Sequence, residues 1–409
     1  MNDGHRVAII GGGRIGYPLA LLAARAGHRV LAVDTRPNVV DAIRFGTAGD
    51  DEPGLTGLAH EPTVQARLEA AVEPDKADVF VIAVPTPLDD SGRGADLAMV
   101  EAATNSIVPF LRPGNLVIVE STVPPGTCRT VVAPLLAESG LVPGVDVRLA
   151  ACPERVLPGA TLAELVSNDR LIGGIDEDSA EAARSFYGSF VTGELVATDD
   201  VTAELCKLVE NAYRDVNIAL ANQVAAVAES FGVDPHEAVA LANRHPRVDL
   251  LEPGIGVGGH CIPLDPWFLT NGDPAETVLI DAARSINDAQ PNRVAARIRR
   301  RLADLADPSV LLIGAAYKPD VADTRESPAL RIRDLLEAKG VAVAVYDPLV
   351  PSYSGDLVDL AAGTDLVTLL VPHQVAVKEL RGRHTAVRSA MRTPQIVDFS
   401  SGRARSFTI

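Results

Sequence analysis

The stretch Val7-Ala-Ile-Ile-Gly-Gly-Gly-Arg-Ile-Gly16 decides the fold of the first part of the chain. A strand pattern runs into glycines spaced G-x-G-x-x-G, and an apolar helix pattern follows. A second strand pattern, Arg29–Val33, ends at Asp34, 18 positions after the last glycine. Glycines at this spacing let the backbone approach a pyrophosphate at a helix N-terminus, and the acid accepts hydrogen bonds from a ribose. The stretch therefore predicts a dinucleotide-binding βαβ unit whose cofactor contacts include Gly11, Gly13, Gly16 and Asp34.

NAD is the predicted dinucleotide. Asp34 would repel the 2′-phosphate of NADP, whereas Arg36 is the one nearby residue that favours NADP. Ligands of open α/β sheets bind beyond the carboxyl ends of strands, so Thr86 and Thr122 are also expected to contact the cofactor. Thr86 follows the predicted strand Val79–Val84, and Thr122 follows the predicted strand Leu116–Val119. Either threonine is equally explained as an ordinary turn residue.

The composition of the 409-residue chain excludes several kinds of partner. A net charge of -17 argues against nucleic acid and anionic membranes. No uninterrupted apolar run approaches the roughly 18 residues of a membrane span. The strand that begins at Val7 leaves no room for a signal peptide. The four cysteines show no paired spacing, so a reduced protein in the cytoplasm is expected.

A single long helix is predicted from Asp200 to Phe231. Its apolar residues cover more than one face, so we expect burial on several sides, between domains or against a second subunit. Lys207, Asn211 and Arg214 lie on one remaining stripe because they are spaced i, i+4 and i+7. A polar stripe on a buried helix needs partners, which favours a site over a solvated face.

A second nucleotide-fold-like unit is predicted after a connecting helix at Asp281–Leu305. It lacks the full glycine fingerprint, so we expect it to bind a different nucleotide-like ligand. Its predicted elements are the strand Val310–Ile313, the helix Pro328–Ala338, and the strands Val341–Tyr346 and Leu366–Leu370. The predicted domains are 1–199 (NAD-binding), 200–304 (central helical region with the cysteine loop) and 305–409 (second Rossmann-like domain).

The segment Gly254-Ile-Gly-Val-Gly-Gly-His-Cys-Ile-Pro-Leu-Asp265 combines a glycine arm with one thiol. Glycines allow the backbone to approach a ligand closely, so Cys261 is interpreted as a nucleophile beside a bound substrate. A buried structural cysteine is the alternative. No metal is expected, because His260, Cys261 and His245 lack the spacing of zinc ligands.

Taken together, these motifs resemble those of the UDP-sugar 6-dehydrogenases, the UDP-glucose/GDP-mannose dehydrogenase family. The resemblance spans essentially the whole chain. The motifs are Gly11–Gly16, Val84-Pro-Thr-Pro87, Glu120-Ser-Thr122, Cys152–Gly159, Cys206-Lys-Leu208, Arg214-Asp-Val-Asn217, Asn243–Arg247, the cysteine loop, Lys318-Pro319 and Arg325-Glu-Ser-Pro328. The fold implied is α/β, with two Rossmann-like doubly wound domains joined by a long helix that also forms a homodimer.

The resemblance implies a four-electron oxidation of a sugar CH2OH to a carboxylate, with two NAD molecules as acceptors. A thiolate from Cys261 would add to the intermediate aldehyde, and oxidation of the thiohemiacetal would give a thioester that water hydrolyses. Lys207 would act as acid/base or stabilise an oxyanion, and Asn211 would add a neutral donor. Glu154 and Asp265 are the carboxylates available to activate water, and the sequence leaves open which one does so.

The resemblance also implies two sets of binding residues. The UDP-sugar would be bound by Arg155, Val156, Lys207, Asn211, Arg214, His245, Arg247, Gly258 and Lys318. NAD would be bound by Gly11, Gly13, Arg14, Ile15, Gly16, Asp34, Thr86, Thr122 and Arg325.

Departures from the family pattern bear on the substrate. UDP-N-acetyl-D-mannosamine is expected, but Ile255 stands where proline is usual, and the pair Ile262-Pro263 favours UDP-N-acetylglucosamine. UDP-glucose is a further alternative, although its enzymes carry a serine and a phenylalanine around the cysteine. One alternative is a non-catalytic sensor of NAD and UDP-sugar, which would tolerate loss of Cys261 and Lys207, although both are present. A further alternative is a two-electron hydroxyacid dehydrogenase, which shares the domain plan but does not need the thiol.

Overall fold

A computed structural model describes residues 4–49, 52–269 and 274–407. The described residues form two compact units, one within Met1–Glu210 and Trp267–Gly272, the other within Asn211–Pro266 and Asp273–Ile409. Each unit contains a largely parallel sheet with helices, as the sequence predicts for two Rossmann-like domains.

In the described part of the first unit, eight strands form one sheet. They are β1 (Arg6–Ile10), β2 (Arg29–Val33), β3 (Leu68–Ala71), β4 (Val79–Ile82), β5 (Leu116–Val119), β6 (Arg148–Ala151), β7 (Arg170–Gly174) and β8 (Leu195–Asp199). The strand order is β3-β2-β1-β4-β5-β6-β7-β8, and only the β6–β7 pair is antiparallel. Ile10 is in register with Val33 and with Ile82, so the residues that follow these strands meet at one sheet edge.

Helices cover both faces of this sheet. They are α1 (Gly16–Arg25), α2 (Pro37–Arg44), α3 (Leu55–Ala59), α4 (Pro62–Gln65), α5 (Ala98–Ile107), α6 (Ala133–Ala137), α7 (Thr161–Ser167) and α8 (Glu177–Tyr187). A π-helical turn, Cys128–Val132, leads into α6. Val7 and Ile9 of β1 belong to one apolar cluster, whereas Ala8 and Ile10 belong to another. This alternation is expected of a strand that is buried on both faces.

The long helix α9 (Asp200–Ser230) continues from the first unit into the second. It begins where the Asp199 carboxylate accepts a 3.0 Å hydrogen bond from the Thr202 N–H, as an N-cap does. Its apolar residues divide between two environments. Leu208 and Ala212 are among those that are buried, but Leu205, Val209, Tyr213, Leu220 and Val227 are between 41% and 70% exposed.

The second unit contains a smaller sheet. Its described strands are β9 (Ser309–Ile313), β10 (Ala342–Tyr346), β11 (Leu366–Leu369), β12 (Gln395–Asp398) and β13 (Arg405–Ser406), in the order β10-β9-β11-β12-β13. The α-helices that remain among the described residues are α10 (Pro235–Ala242), α11 (Asp265–Phe268), α12 (Val278–Asp288), α13 (Gln290–Arg301), α14 (Pro328–Glu337), α15 (Leu357–Ala361) and α16 (Gln374–Ala390).

The single connecting helix predicted for Asp281–Leu305 is wrong. The segment forms α12 and α13, which meet at Ala289. Pro291 has no N–H to continue the first helix and fits the first turn of the second, so the break falls just before it.

Candidate active site

The glycine motif forms the turn between β1 and α1. Gly11 has a φ of 110°, and a Cβ there would lie 2.3 Å from the carbonyl oxygen of Ala83. A Cβ on Gly16 would lie 1.8 Å from the carbonyl oxygen of Gly11, so the fold requires both glycines. A Cβ on the exposed Gly13 would meet nothing within 4 Å, which leaves space for a pyrophosphate at the start of α1. The same turn contains Arg14 and Ile15.

Asp34 follows β2 at the same sheet edge. Its carboxylate accepts a 3.1 Å hydrogen bond from the Gly12 N–H and pairs with the Arg36 guanidinium at 3.0 Å. Burial acts to raise the pKa of Asp34, but the hydrogen bonds from Arg36 and Gly12 outweigh it and hold the pKa below its ordinary value. The group is therefore an ionised acceptor beside the glycine turn, which fits the ribose of NAD.

The two threonines that follow β4 and β5 lie together. The Thr86 hydroxyl donates a 2.7 Å hydrogen bond to the carbonyl oxygen of Thr122. The Ser121 hydroxyl also donates to the Val84 carbonyl oxygen at 2.7 Å. These bonds join the two strand ends, so both predicted cofactor contacts lie in one braced loop pair.

A buried ion pair beneath this edge was not identified from the sequence. Glu120, which follows β5, accepts from Arg170 at 2.8 Å and from the Tyr187 hydroxyl. Burial raises the pKa of Glu120, although Arg170 opposes that effect. The pair is 0% and 5% exposed and anchors the Glu120-Ser-Thr122 motif from below. The only sequence signal was an acid directly after an apolar strand.

Lys207 and Glu154 form an ion pair in the first unit. The Nζ–Oε1 distance is 3.5 Å, and the two side chains are 7% and 11% exposed. The second carboxylate oxygen of Glu154 accepts a 2.8 Å hydrogen bond from the Val156 N–H. Two predicted catalytic residues and one predicted substrate contact therefore lie together.

Arg155, the residue between Glu154 and Val156, has partners of its own. Its guanidinium pairs with Glu210 at 2.7 Å and donates to the Asp169 carbonyl oxygen at 3.0 Å. The side chain is about one-third exposed, so an anionic ligand would compete with a carboxylate that is already bound.

A tight turn in the second unit joins Cys261 to Asp265. The N–H groups of Leu264 and Asp265 donate to the Cys261 carbonyl oxygen at 3.0 and 2.8 Å. Cys261 is exposed, whereas Asp265 is buried and accepts a 2.5 Å hydrogen bond from the Asn211 amide. Three predicted catalytic residues meet here. Lys207 precedes Asn211 by four residues on α9, so the two share a helix face.

The glycine arm before this turn packs against the protein itself. A Cβ on Gly258 would lie 2.5 Å from the carbonyl oxygen of Glu326, and one on Gly259 would lie 3.0 Å from the Tyr317 ring. The sequence interpretation assigned this close approach to a ligand. The neighbouring segment of the second unit already requires these two glycines, so the pattern alone is no measure of ligand contact.

Arg325 lies beside the cysteine turn. Its carbonyl oxygen accepts a 3.0 Å hydrogen bond from the Gly259 N–H. The hydrogen bond to Asp323 raises the pKa of Arg325 most, and the electrostatic interaction with Cys261 contributes as well. Lys318, from the same segment, lies with its ammonium 5.8 Å from the Tyr317 ring centroid. Arg325 therefore places positive charge near the thiol and lies outside the unit that holds the glycine turn.

The remaining predicted substrate contacts are exposed. They are Arg214 on α9, and His245 and Arg247 on the loop after α10. Asn243 braces that loop by bonding both the N–H and the carbonyl oxygen of Leu250, at 2.8 and 2.9 Å.

Glu204 is a second residue that the sequence interpretation missed. It lies on α9 and accepts from the N–H groups of Gly126 and Cys128, at 2.5 and 2.9 Å. Burial raises its pKa to about 7. The side chain fastens the loop that contains Thr122 to the helix that contains Lys207. Its position three residues before Lys207 was the available signal.

Comparison with known proteins gives three consecutive domain matches. They are the NAD binding domain (residues 5–191), the central domain (201–289) and the UDP binding domain (311–401) of the UDP-glucose/GDP-mannose dehydrogenase family.

Individual relatives resemble the chain over most of its length. UDP-N-acetyl-D-mannosamine dehydrogenase of Methanococcus vannielii is 42% identical over 90% of this chain and 86% of its own. NDP-N-acetyl-D-galactosaminuronic acid dehydrogenase of Ralstonia nicotianae is 41% identical over 91% and 92%. The structure of UDP-D-ManNAc dehydrogenase from Pyrococcus horikoshii is 37% identical, with a TM-score of 0.91 over 99% of this chain and 96% of that one.

The fold, the glycine turn and these domain matches define an NAD-dependent dehydrogenase of nucleotide sugars. The chain belongs to the UDP-glucose/GDP-mannose dehydrogenase family. The predictions of an oxidoreductase and of NAD as cofactor are confirmed. In residues 4–49, 52–269 and 274–407, no helix is both long and apolar enough to cross a membrane.

Proposed function

We propose that the enzyme oxidises the C6 hydroxymethyl group of UDP-N-acetyl-D-mannosamine to the carboxylate of UDP-N-acetyl-D-mannosaminuronate. The observation that carries the proposal is the turn from Cys261 to Asp265, with Asn211 bonded to Asp265. A thiol, a carboxylate and an amide donor in one structure suit an oxidation that passes through an enzyme-bound acyl group. The names of two relatives, at 42% and 37% identity, support the mannosamine substrate.

The thiol makes the second oxidation possible. An aldehyde must first gain a nucleophile at its carbonyl carbon, and the Cys261 sulfur supplies it, giving a thiohemiacetal. NAD, when bound, accepts a hydride from the sugar C6 in each of the two oxidations. The resulting thioester reacts with water, which releases the carboxylate and regenerates the thiol. Arg325 supplies positive charge beside the sulfur during these steps.

The Lys207–Glu154 pair and Asp265 divide the proton transfers. We assign removal of the C6 hydroxyl proton to the Lys207–Glu154 pair, because a lysine next to a buried carboxylate can exchange a proton. Asp265 activates the hydrolytic water, since it lies in the turn that begins at the nucleophile. The division predicts that Asp265→Asn accumulates a covalent adduct on Cys261, seen by intact mass, whereas Glu154→Gln slows the first NADH release.

NADH counting tests the reaction. The wild type should release two NADH per UDP-uronate, and Cys261→Ser should release one at most, because serine is a weak nucleophile at neutral pH. Cys206→Ser is the matched control for a lost thiol and should keep two equivalents. A single equivalent from the wild type would contradict the four-electron reaction, and none would favour a sensor of NAD and UDP-sugar.

The substrate is tested with a panel of four nucleotide sugars. UDP-N-acetylmannosamine should give the highest kcat/KM, ahead of UDP-N-acetylglucosamine, UDP-N-acetylgalactosamine and UDP-glucose. A pocket that pairs with the N-acetyl group should discriminate against UDP-glucose by about 100-fold, since its polar groups would be left unpaired. The galactosamine compound is included because a relative at 41% identity is named for that sugar's uronic acid.

The remaining binding residues keep the assignments made from the resemblance. The UDP-sugar contacts are Arg155, Val156, Lys207, Asn211, Arg214, His245, Arg247, Gly258 and Lys318. The NAD contacts are Gly11, Gly13, Arg14, Ile15, Gly16, Asp34, Thr86, Thr122 and Arg325. The open space at Gly13 and the ionised Asp34 support the second set most directly.

A homodimer through α9 is the second part of the proposal. Leu205, Val209 and Leu220 belong to an exposed apolar stripe on this helix, and a second copy of the stripe would cover it. Val209→Glu should convert the dimer to a monomer in light scattering. Val145→Glu is the matched control, because Val145 is 81% exposed and lies outside the helix. A dimeric Val209→Glu variant would move the interface elsewhere.

Domain limits and location complete the proposal. The domains 1–199, 200–304 and 305–409 agree in order with the three family matches, which begin at residues 5, 201 and 311. The use of NAD and four cysteines that are free in the structure support a cytoplasmic enzyme.

A further inference from the structure

The segment 315–327, between β9 and α14, has an unusual backbone at two residues. Asp320 and Glu326 have φ values of 60° and 49°, and among the described residues they are the only ones other than glycine with a positive φ. This left-handed conformation is costly for a residue with a side chain and persists where surrounding contacts enforce it. The segment also contains Lys318 and Arg325, both predicted binding residues, so its conformation bears on the site.

The side chain of Asp320 is fastened to the start of α16. Its carboxylate accepts a 2.8 Å hydrogen bond from the N–H of Gln374, the first residue of that helix, and a 3.0 Å bond from the Gln374 side-chain amide. The first N–H groups of a helix have no partner within it, so an acidic side chain at this end is stabilising. Asp320 therefore caps α16 from a distant part of the chain.

The backbone of Asp320 is held by His373. The Asp320 N–H donates a 2.9 Å hydrogen bond to Nδ1 of the His373 ring, which is fully buried. Because Nδ1 accepts, the ring proton lies on Nε2, which donates it to Asp347 at 2.9 Å. The ring is thus fixed on both sides, and three hydrogen bonds in all hold Asp320 in its left-handed conformation.

The restraint on Asp320 reaches Lys318 over a short distance in the chain. Only Pro319 separates the two residues, and a proline fixes its own φ and restricts the residue before it to an extended backbone. The segment also closes on itself, because the Tyr317 N–H donates to the Asp323 carbonyl oxygen at 2.9 Å. Holding Asp320 therefore limits the directions in which the Lys318 side chain can point.

We propose that Asp320 is a positioning residue that, held by His373 and Gln374, keeps Lys318 in the direction that binds UDP. The inference rests on the proposed function in taking Lys318 as a UDP-sugar contact, and all of its residues belong to the second unit. Asp320 acts through Lys318. Its loss should weaken UDP binding, because a mobile segment must then be ordered when the ligand binds. The KM for NAD and kcat should change much less.

Two substitutions at Asp320 separate its anchoring role from its charge. Asp320→Gly adopts the left-handed backbone freely but lacks the carboxylate, so the Kd of UDP, titrated calorimetrically into the full-length enzyme, should rise about 10-fold. Asp320→Asn loses the charge but tolerates the same φ and keeps one oxygen for the Gln374 N–H, so it should bind UDP nearly as the wild type does. Asp304→Gly, at an exposed residue after α13, is the matched control. Tighter binding in both Asp320 variants would show that the acid repels UDP and would overturn the positioning role.

Two substitutions at His373 test the backbone bond. The short amide of asparagine places its oxygen near the position of Nδ1, where it can accept from Asp320, whereas the longer amide of glutamine places its nitrogen near that of Nε2, where it can donate to Asp347. Both variants lose part of a buried network and should melt below the wild type. Only His373→Gln should raise the Kd of UDP. Equal Kd values for the two variants would mean that His373 only stabilises the fold, which would overturn the inference.

Hydrogen exchange needs neither turnover nor ligand and so separates this inference from the proposed function. The amides of 315–327, followed on peptides by mass spectrometry, should exchange faster in Asp320→Gly than in Asp320→Asn. Equal exchange in the two variants would overturn the positioning role even if the mannosamine substrate is confirmed. Failure of the wild type to bind UDP would instead contradict the proposed function, and with it the ligand assigned to Lys318.

Discussion

The glycine turns that follow β1 and β9 share their backbone geometry and differ in what surrounds the neighbouring acid. Gly11 and Gly314 have φ values of 110° and 98°. Their N–H groups donate to the last residues of the adjacent strands, Val33 and Tyr346, at 2.7 and 2.8 Å. In each unit the next residue is an aspartate. The two units therefore build the same strand, turn and acid from different sequences.

The two aspartates have different partners. Asp34 pairs with the exposed Arg36 and lies beside an open turn. Asp347 is 0% exposed, and one of its oxygens accepts from the Ala315 N–H at 2.7 Å and pairs with His373 at 2.9 Å. Asp347 is thus enclosed by buried protein groups, whereas the side chain that pairs with Asp34 is 63% exposed. The first turn is left open for a dinucleotide, and the second is closed, so a nucleotide bound by the second unit must use other residues.

The segment after each glycine shows where those residues lie. In the first unit α1 begins five residues after Gly11, whereas α14 begins 14 residues after Gly314. The longer segment contains Lys318 and Arg325 and packs against the glycine arm of the cysteine loop. The longer segment of the second unit therefore supports the cysteine loop, whereas the short segment of the first unit leads directly into a helix.

The largest expected effect comes from adding a Cβ to the closely packed glycine of the first turn, Gly16. Gly16→Ala places a Cβ 1.8 Å from a backbone oxygen, so NAD binding should be lost and the first unit destabilised by about 3 kcal/mol. Gly13→Ala is the matched control for the backbone, since its Cβ meets nothing within 4 Å. It should fold normally and raise the KM for NAD. Calorimetry and NAD titration separate the two, and equal stability of both variants would contradict the close packing at Gly16.

Opening the closed turn should affect stability alone. Asp347→Ala removes the acceptor of several buried donors, among them the N–H groups of Ala315 and Ala316, and should cost about 3 kcal/mol. The KM for NAD should stay at the wild-type value. Thermal unfolding and steady-state kinetics measure the two quantities. A raised KM for NAD with unchanged stability would mean that Asp347 contacts a nucleotide after all.

The corresponding change in the open turn should affect cofactor choice. Asp34→Ala removes the carboxylate that repels a 2′-phosphate and releases Arg36, so discrimination against NADP should fall by about 10-fold. The ratio of kcat/KM for NAD and NADP is the measurement. A wild type that already prefers NADP would show that Arg36 outweighs Asp34.

Much of this comparison was predictable from the sequence. The strand, turn and acid of the first unit follow from glycine spacing and apolar pattern, which are local properties. The alignment of Lys207 with Asn211 on α9 also follows from helical periodicity alone. The enclosure of Asp347 could not be predicted from the sequence, because His373 is 26 residues away and no local pattern links the two residues.

The glycine arm before Cys261 is a feature whose pattern was visible in the sequence but whose contacts were not. Gly258 and Gly259 indicated that another group approaches the backbone closely, but the sequence did not identify that group. In the structure, Glu326 and Tyr317 are the neighbours. Glu204 was missed for a related reason. Its partners are backbone N–H groups some 76 residues away, and such donors leave no mark in side-chain composition.

The smallest expected effect is a difference in how stability depends on pH between two buried acids, Glu204 in the first unit and Asp347 in the second. Burial raises the pKa of Asp347, but the bonds from His373 and from backbone N–H groups lower it more, so the net shift is downward. Burial raises the pKa of Glu204 from 4.5 to about 7. The folded state therefore binds a proton at Glu204 more tightly than the unfolded state, and this contribution to stability falls as the pH rises from about 4.5 to about 7.

Glu204→Gln isolates that contribution. An amide removes the charge that burial disfavours, but the N–H groups of Gly126 and Cys128 bond to different oxygens of Glu204, so the one oxygen of glutamine keeps only one of these bonds. At pH 5 the variant should melt near or below the wild type. At pH 8 its melting temperature should rise by about 2–4 °C relative to the wild type, the shift that about 1 kcal/mol produces in a unit of this size.

Asp347→Asn is the contrasting control. The cost of that change should be greatest at neutral pH and shrink as the pH falls through the low pKa of Asp347, because the carboxylate then protonates in the wild type too. A constant difference between Glu204→Gln and the wild type from pH 5 to pH 8 would mean that Glu204 keeps an ordinary pKa despite its burial.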